Sequence, residues 1–137
     1  MGLFDMFKKK EPTFEALLKK SAFEPAYRID IYARILSEKF FVLTEEGMFP
    51  QGSFITNGNT KAQVRTLNNG SVPVFTSTDR IFDRGIIKTE VCFLELEGKD
   101  LLKMLIGKTL IINPYSDFAK EILPSEIEQI LDGSILT

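Results

Sequence analysis

Strands and helices alternate from residue 72 to residue 113, and this order constrains the fold more than any other feature of the sequence. Short β-branched and aromatic runs at residues 72–76, 91–97 and 109–113 are typical of strands. Residues 77–82 and 99–106 lie between them and have the apolar spacing of helices. A strand that returns to its sheet through a helix normally does so parallel and by a right-handed crossover. We therefore expect the three strands to run parallel.

The N-terminal half of the chain predicts two helices. Residues 13–21 form the first, because Phe14, Leu17 and Leu18 fall on one apolar stripe. Residues 25–38 are ambiguous, since their apolar side chains alternate as in a strand and also fit a helical face. The length of this segment and the proline at its start favour a helix.

A strand and a hairpin complete this half. Residues 40–44 are aromatic and β-branched, which predicts a strand. Residues 63–67 predict another strand, and the sequence NNGS joins it to residues 72–76, because Asn and Gly tolerate the positive φ of tight turns. Beyond the alternating region, we expect a helical turn at residues 116–121 and a last helix at residues 125–131.

Together these elements predict one α/β domain of the mixed α+β kind, with helices packed on a mixed sheet of about five strands. The length of 137 residues suits a single domain. A change of composition near Pro12 separates an N-terminal segment, residues 1–11, from the domain, residues 12–137. The side chains that we expect in the core are Phe41, Val74, Cys92, Leu94, Leu105, Ile111 and Ile127.

The absence of histidine excludes several kinds of chemistry. It removes histidine acid–base catalysis, Ser-His-Asp triads and histidine-ligated zinc. A single cysteine permits no intrachain disulfide and no paired-cysteine metal site. The sequence holds no nucleotide-binding glycine motif and no metal-ligand spacing, so we expect no catalytic residues, no metal and no cofactor. The net charge of −2 argues against nucleic acid as a partner.

The sequence also gives an expectation for the cellular compartment of the protein. No apolar run approaches the roughly 20 residues that a membrane-spanning helix needs. The N-terminal lysines follow the apolar residues, whereas the basic residues of a signal peptide precede them. We therefore expect a cytoplasmic protein.

The loops that follow two of the predicted parallel strands are the best candidates for a binding site. Because ligands bind outside the carboxyl ends of parallel strands, both loops should lie at one edge of the sheet. Thr76 and Asp79 have the spacing of a capping box, which favours a helix cap over an anion site. Tyr115 is the strongest single candidate, because its ring offers a large contact area and its hydroxyl a polar tip. The residues that we expect to contact a partner are Thr76, Ser77, Asp79, Asn113, Tyr115 and Ser116.

The first ten residues are apolar and then basic. As a helix they would form a short anchor for a membrane surface or a partner, because the lysines are attracted to anionic lipids. A frayed tail is the alternative. The residues that would make this anchor are Leu3, Phe4, Phe7, Lys8, Lys9 and Lys10.

Three sets of motifs are distinctive: VPVFTS at residues 72–77 with GKTLIINPYS at 107–116, PAYR at 25–28 with LSEKFFV at 36–42, and PSEI at 124–127. Together they resemble the SseB N-terminal domain family, bacterial proteins named for enhanced serine sensitivity. The resemblance covers about residues 14–131, supports a helix for residues 25–38 and implies an α/β domain. It implies no active site, and the stretch at residues 45–62 departs from the family pattern.

These observations leave three hypotheses for the function. The first is a non-catalytic module that binds a protein or another ligand through the strand-end loops. The second is a small-molecule sensor or enzyme that uses residues 76–79 and 113–116. The third is a membrane-surface adaptor attached through residues 1–10, and self-association is open in each case. The missing histidine and cofactor motifs favour a non-catalytic role over the second hypothesis.

Overall fold

The computed structural model describes residues 13–44, 65–88 and 91–137. The helices are α1 (Phe14–Ser21), α2 (Arg28–Arg34), α3 (Thr78–Ile81), α4 (Gly98–Met104) and α5 (Pro124–Asp132), and the strands are β1 (Lys39–Leu43), β2 (Val72–Phe75), β3 (Phe93–Glu97), β4 (Leu110–Ile112) and β5 (Lys120–Ile122). Short 3₁₀ helices add Pro25–Tyr27, Ile35–Ser37, Asp83–Gly85 and Ser134–Leu136. The N-terminal segment at residues 1–11 and the stretch at 45–62 lie outside the described residues.

The five strands form one mixed sheet in the order β3-β1-β2-β4-β5. β1 pairs antiparallel with both β2 and β3, β2 pairs parallel with β4, and β4 pairs antiparallel with β5. Because β2 and β3 are both antiparallel to β1, the strands β2, β3 and β4 run in one direction, as the sequence predicts. Only β2 and β4 are parallel neighbours, since β1 lies between β3 and β2. The fold is α+β, as expected.

The main hydrophobic core lies on one face of this sheet. Alternate strand residues point into it, such as Val74 of β2, Leu94 of β3 and Ile112 of β4. α1, α2, α4 and α5 cover this face with apolar stripes, the side chains of which include Leu18 and Ile127. The main core therefore joins both halves of the chain.

A smaller core lies on the opposite face. Its buried residues are Leu43, Phe75, Ile81 and Val91. Phe41 and Phe93 pack against this cluster and edge to face against each other, with their ring centroids 5.5 Å apart, and both stay partly exposed. Phe41 and Ile111, which we expected in the core and nearly inaccessible to solvent, are only partly buried, because both belong to this partly covered face. The other expected core residues, Val74, Cys92, Leu94, Leu105 and Ile127, are buried.

Two predicted elements take a different form. Residues 120–122 form the edge strand β5, where the sequence predicts a helical turn over residues 116–121. Residues 65–67 form no strand, although the predicted NNGS turn is present, with the Leu67 N–H donating to the Ser71 carbonyl at 2.8 Å. The remainder of that predicted strand, residues 63 and 64, lies outside the described residues.

The helix expected at residues 25–38 is present, as a 3₁₀ turn, α2 and a second 3₁₀ turn in succession. Pro25 occupies the first position of this run, where its missing N–H costs nothing. Within the described residues, no helix is both long enough and apolar enough to cross a membrane.

Candidate functional site

Because β2 and β4 pair in parallel, the two predicted loops lie together at the carboxyl ends of these strands. We define the strand-end edge as residues 76–86, which follow β2, and residues 113–118, which follow β4. Of the six predicted contact residues, Asn113 is fully buried, Asp79 is exposed, and the other four are partly buried. All six belong to this one edge of the sheet.

Asn113 joins the two loops. Its side-chain oxygen accepts a hydrogen bond from the Thr76 N–H at 3.0 Å, and its side-chain nitrogen donates to the Thr76 hydroxyl at 3.0 Å. Its own N–H donates to the Val74 carbonyl at 2.8 Å, which continues the β2–β4 ladder by one step. The residue has φ +50°, a left-handed conformation that asparagine tolerates better than most residues.

Ser116 closes the second loop on itself. Its N–H and its hydroxyl both donate to the Asn113 carbonyl, at 3.0 and 2.8 Å. The same hydroxyl accepts from the Phe118 N–H at 3.2 Å. The polar groups of Thr76, Asn113 and Ser116 are therefore engaged within the edge itself.

The predicted capping box is wrong. Ser77, not Thr76, is the N-cap residue of α3, and its side chain makes no capping hydrogen bond. The Thr76 hydroxyl accepts from Asn113 instead, because the neighbouring strand brings that amide within reach.

Two arginines that the sequence analysis did not single out connect the edge to its surroundings. Arg80 lies 3.3 Å from Glu15 of α1 and 3.2 Å from Asp83, and its guanidinium lies 5.9 Å from the centre of the Phe118 ring. The contact with Glu15 is an ion pair without hydrogen-bond geometry. The spacing of Arg80 and Asp83 is visible in the sequence, whereas the contacts with Glu15 and Phe118 depend on the tertiary fold.

Arg84 pairs with Asp117 across the two loops. Both side chains are largely exposed, so water and salt screen this pair and its contribution to stability is small. It nevertheless brings the segment around Arg84 next to the loop after β4. Two exposed apolar residues belong to that segment, Phe82 with 44% and Ile86 with 55% of its surface accessible.

Tyr115 lies against the second core. Its ring centre is 5.9 Å from that of the buried Phe75, with an angle of 38° between the rings. The tyrosine is partly exposed, so it both covers the end of the core and presents surface to solvent. The apolar side chains that the strand-end edge presents to solvent are therefore the exposed Phe82 and Ile86 and the partly buried Tyr115.

The structure bears on metal binding but not on the predicted N-terminal anchor. Among the described residues, no group of three or more acidic or cysteine side chains is placed to hold a metal ion. Cys92 is buried. The predicted anchor residues Leu3, Phe4, Phe7, Lys8, Lys9 and Lys10 lie outside the described residues, so the anchor stays a prediction.

A second group of ionisable side chains lies between α2 and α5. The Tyr32 hydroxyl donates to Glu126 at 2.5 Å, and the other oxygen of Glu126 accepts from the Leu123 N–H at 3.0 Å. Burial, followed by the hydrogen bond and the charge of Glu126, raises the pKa of Tyr32 to about 12, against a smaller opposing effect of Arg28. Lys120 of β5 lies over the Tyr32 ring, 5.5 Å from its centre.

Comparison with known proteins gives the family. The family model of the SseB protein N-terminal domain matches residues 14–129. Protein SseB of Escherichia coli (strain K12) and Protein SseB of Shigella flexneri are each 28% identical to the chain over 120 residues, which is 85% of this chain and 45% of each relative. The chain thus spans less than half the length of these curated relatives. No solved structure matches it. The matched residues run from the first residue of α1 into α5, and the chain belongs to the SseB N-terminal domain family.

Proposed function

We propose that this domain is a non-catalytic module that binds a protein partner at the strand-end edge. The observation that carries the proposal is the exposed apolar surface of Phe82, Ile86 and part of Tyr115, on loops that the Thr76–Asn113 hydrogen bonds and the Arg84–Asp117 ion pair join. Exposed apolar residues that cluster beside polar ones are typical of protein interaction sites. Aromatic side chains are also enriched among the residues that contribute most to such interfaces.

The internal hydrogen bonds of the edge support a scaffold role for three of the predicted contact residues. Thr76, Asn113 and Ser116 bond to each other and to the loop backbone, which orders the loops before any partner arrives. Such ordering lowers the entropic cost of association. In this proposal the direct contacts come from Tyr115 and Asp79, which the sequence singles out, and from Phe82 and Ile86, which it does not.

The test uses a pair of isoleucines with matched exposure. Ile86 in the edge and Ile106 after α4 have 55% and 53% of their surface accessible. Ile86→Asp is expected to weaken binding of a partner captured by the wild-type chain by at least about tenfold, or about 1.4 kcal/mol. Ile106→Asp is expected to leave the Kd unchanged. The partner is first identified by capture from native lysate, and the Kd is then measured with both purified proteins.

The readout must separate binding from stability. Ile86 is a sharper probe than Tyr115, because Tyr115→Ala also removes a ring that packs on Phe75. The melting temperatures of the Ile86 and Ile106 variants should be close to each other, since surface changes usually shift stability by less than about 0.5 kcal/mol. A captured partner with the same Kd for wild type, Ile86→Asp and Phe82→Asp would refute binding at this edge.

A further inference from the structure

A groove of about 300 Å³ lies between the end of α1 and the edge strand β5, away from the strand-end edge. Small side chains leave it open, with Ser21 and Ala22 on the helix side and Ala119 on the strand side. Leu18 also lines the groove, with 1% of its surface accessible, so the apolar surface comes mainly from the exposed Ala22 and Ala119. Its volume is at the lower end of the range that small-molecule sites occupy, about 300–1,000 Å³.

The charged lining of this groove is asymmetric. Arg28 and Lys120 supply two cations, and Glu121 supplies one carboxylate, so the lining carries a formal charge of +1. Neither Arg28 nor Lys120 has a carboxylate within ion-pair distance among the residues that the structure describes. Like charges that share a small space repel each other, and an anion between them offsets this repulsion.

The nearby carboxylate of Glu126 compensates Lys120 only in part. One Glu126 oxygen accepts from Tyr32 and the other from the Leu123 N–H. Burial has the largest effect on the pKa of Lys120 and lowers it. Glu126 and Glu121 raise this pKa and Arg28 lowers it, and the net change is a decrease. The Lys120 ammonium, which lies 5.5 Å from the centre of the Tyr32 ring, is therefore less well stabilised in this fold than in water.

We propose that the groove between α1 and β5 binds a small monocarboxylate, with the carboxylate held by Arg28 and Lys120 and a short apolar tail against Ala22 and Ala119. A guanidinium suits this role because its planar N–H groups match both oxygens of a carboxylate. The formal charge of +1 matches a monoanion, whereas Glu121 would repel a second negative charge. None of these residues belongs to the strand-end edge, so the inference goes beyond the proposed function and does not depend on it.

The test is an NMR titration of the ¹⁵N-labelled full chain with sodium propionate, compared with sodium chloride at equal ionic strength. Propionate is expected to give saturable shifts of the Ser21, Ala22, Ala119 and Lys120 amides. Arg28→Gln and Lys120→Gln should each weaken the apparent affinity by about tenfold, or about 1.4 kcal/mol. Lys99→Gln, which removes an exposed lysine at the start of α4, is the matched control and should bind as wild type.

Several outcomes would overturn the assignment. Shifts with propionate that do not saturate, or that chloride reproduces, mean that the groove is not a carboxylate site. Wild-type affinity in both Arg28→Gln and Lys120→Gln has the same meaning. Tighter binding of inorganic phosphate than of propionate at the same amides would refute the choice of a monocarboxylate. Arg28 is exposed, so Arg28→Gln should stay folded and keep the test decisive.

Discussion

Asn113 stabilises the strand-end edge through both atoms at the end of its side chain. The amide accepts from the Thr76 backbone and donates to the Thr76 hydroxyl, while its own backbone extends the β2–β4 ladder. No other side chain of similar size offers a donor and an acceptor in this geometry together with tolerance of φ +50°. The residue is thus needed for the shape of the edge whether or not a partner touches it.

Asn113→Ala should lower the free energy of unfolding by about 2–4 kcal/mol. Two groups of the partly buried Thr76 lose their partner, each at the low end of the about 1–3 kcal/mol that a buried group costs, and alanine disfavours the left-handed conformation. Thr76→Val removes only the hydroxyl and should cost about 1 kcal/mol. Urea denaturation of the three proteins measures the difference. A loss below about 0.5 kcal/mol for Asn113→Ala, typical of surface changes, would contradict this account.

Tyr32 gives the stability a dependence on pH at alkaline values. Its pKa rises from 10.0 to about 12 on folding, through burial and through Glu126. The folded protein therefore holds a proton that the unfolded chain loses between pH 10 and about 12. The stabilisation is fully present below pH 10 and disappears as the pH rises through about 12.

Replacing Tyr32 with phenylalanine should flatten the loss of stability over this range. The measurement is the urea midpoint below pH 10 and again between pH 10 and 12, for wild type and Tyr32→Phe. Tyr27→Phe is the matched control, because the Tyr27 hydroxyl has no hydrogen bond to any described residue. An equally steep decline in wild type and Tyr32→Phe would mean that the Tyr32–Glu126 contact does not set this dependence.

At the scale of elements, Gly98 determines how closely α4 approaches the turn before β1. A Cβ atom at this position would lie 1.7 Å from the Ile35 carbonyl oxygen, a backbone atom that has no rotamer with which to move away. The Gly98 N–H also donates to the Glu38 carbonyl at 2.7 Å. The two segments pack backbone to backbone because this residue has no side chain.

Gly98→Ala should therefore destabilise the protein by about 3 kcal/mol or more, at or above the upper end of ordinary overpacking. Gly107→Ala is the control. Gly107 has φ +84° but open space around its Cβ position, so only the left-handed strain of about 1–2 kcal/mol applies. Thermal or urea unfolding compares the two variants. Similar losses for both would show that the α4 contact relaxes without cost.

The elements that the sequence predicts well are those with a distinctive local sequence pattern. α1 and α5 have clear apolar stripes, and the Pro25 start and length of the next segment identify the α2 region. β5 is different, because its three residues KEI carry two charges and only pairing with β4 makes them a strand. Ile111 likewise has the sequence of a core residue, but it faces the partly covered side of the sheet. Sheet order determines both outcomes, and local patterns do not encode it.

The candidate site, too, is predicted by the sequence only in part. The sequence predicts that the two loops meet, because parallel strands end at one edge, and the structure brings them together. It does not predict that Asn113 bonds to Thr76, or that Arg84 pairs with Asp117, because 37 residues separate the first pair and only the sheet register brings its members within reach. Phe82 ends the helix predicted at residues 77–82 and Ile86 follows it, and nothing in the sequence shows that both side chains are exposed.

At the scale of the whole molecule, one sheet supports two cores. β2 is buried along its whole length, with Val74 in the main core and Phe75 in the second core. Adjacent strand residues point to opposite faces, so the same strand holds both clusters. Tyr32 packs against the main core and Tyr115 against the second, which provides a reporter for each face.

Because β1 and β2 are common to both faces, the described part of the chain should unfold as one cooperative unit. Phe75→Ala in the second core should cost about 3–5 kcal/mol and Ile112→Ala in the main core about 2–5 kcal/mol. In each variant the NMR signals of Tyr32 and Tyr115 should disappear at the same urea concentration, together with the far-UV circular dichroism, as coincident probes of a two-state transition do. If Phe75→Ala moved the Tyr115 transition to lower urea and left that of Tyr32 in place, the second core would be a separate layer that opens by itself. The strand-end edge would then be held by a weaker unit than the main core, since Tyr115 packs on Phe75 and Asn113 bonds directly to the residue that follows it.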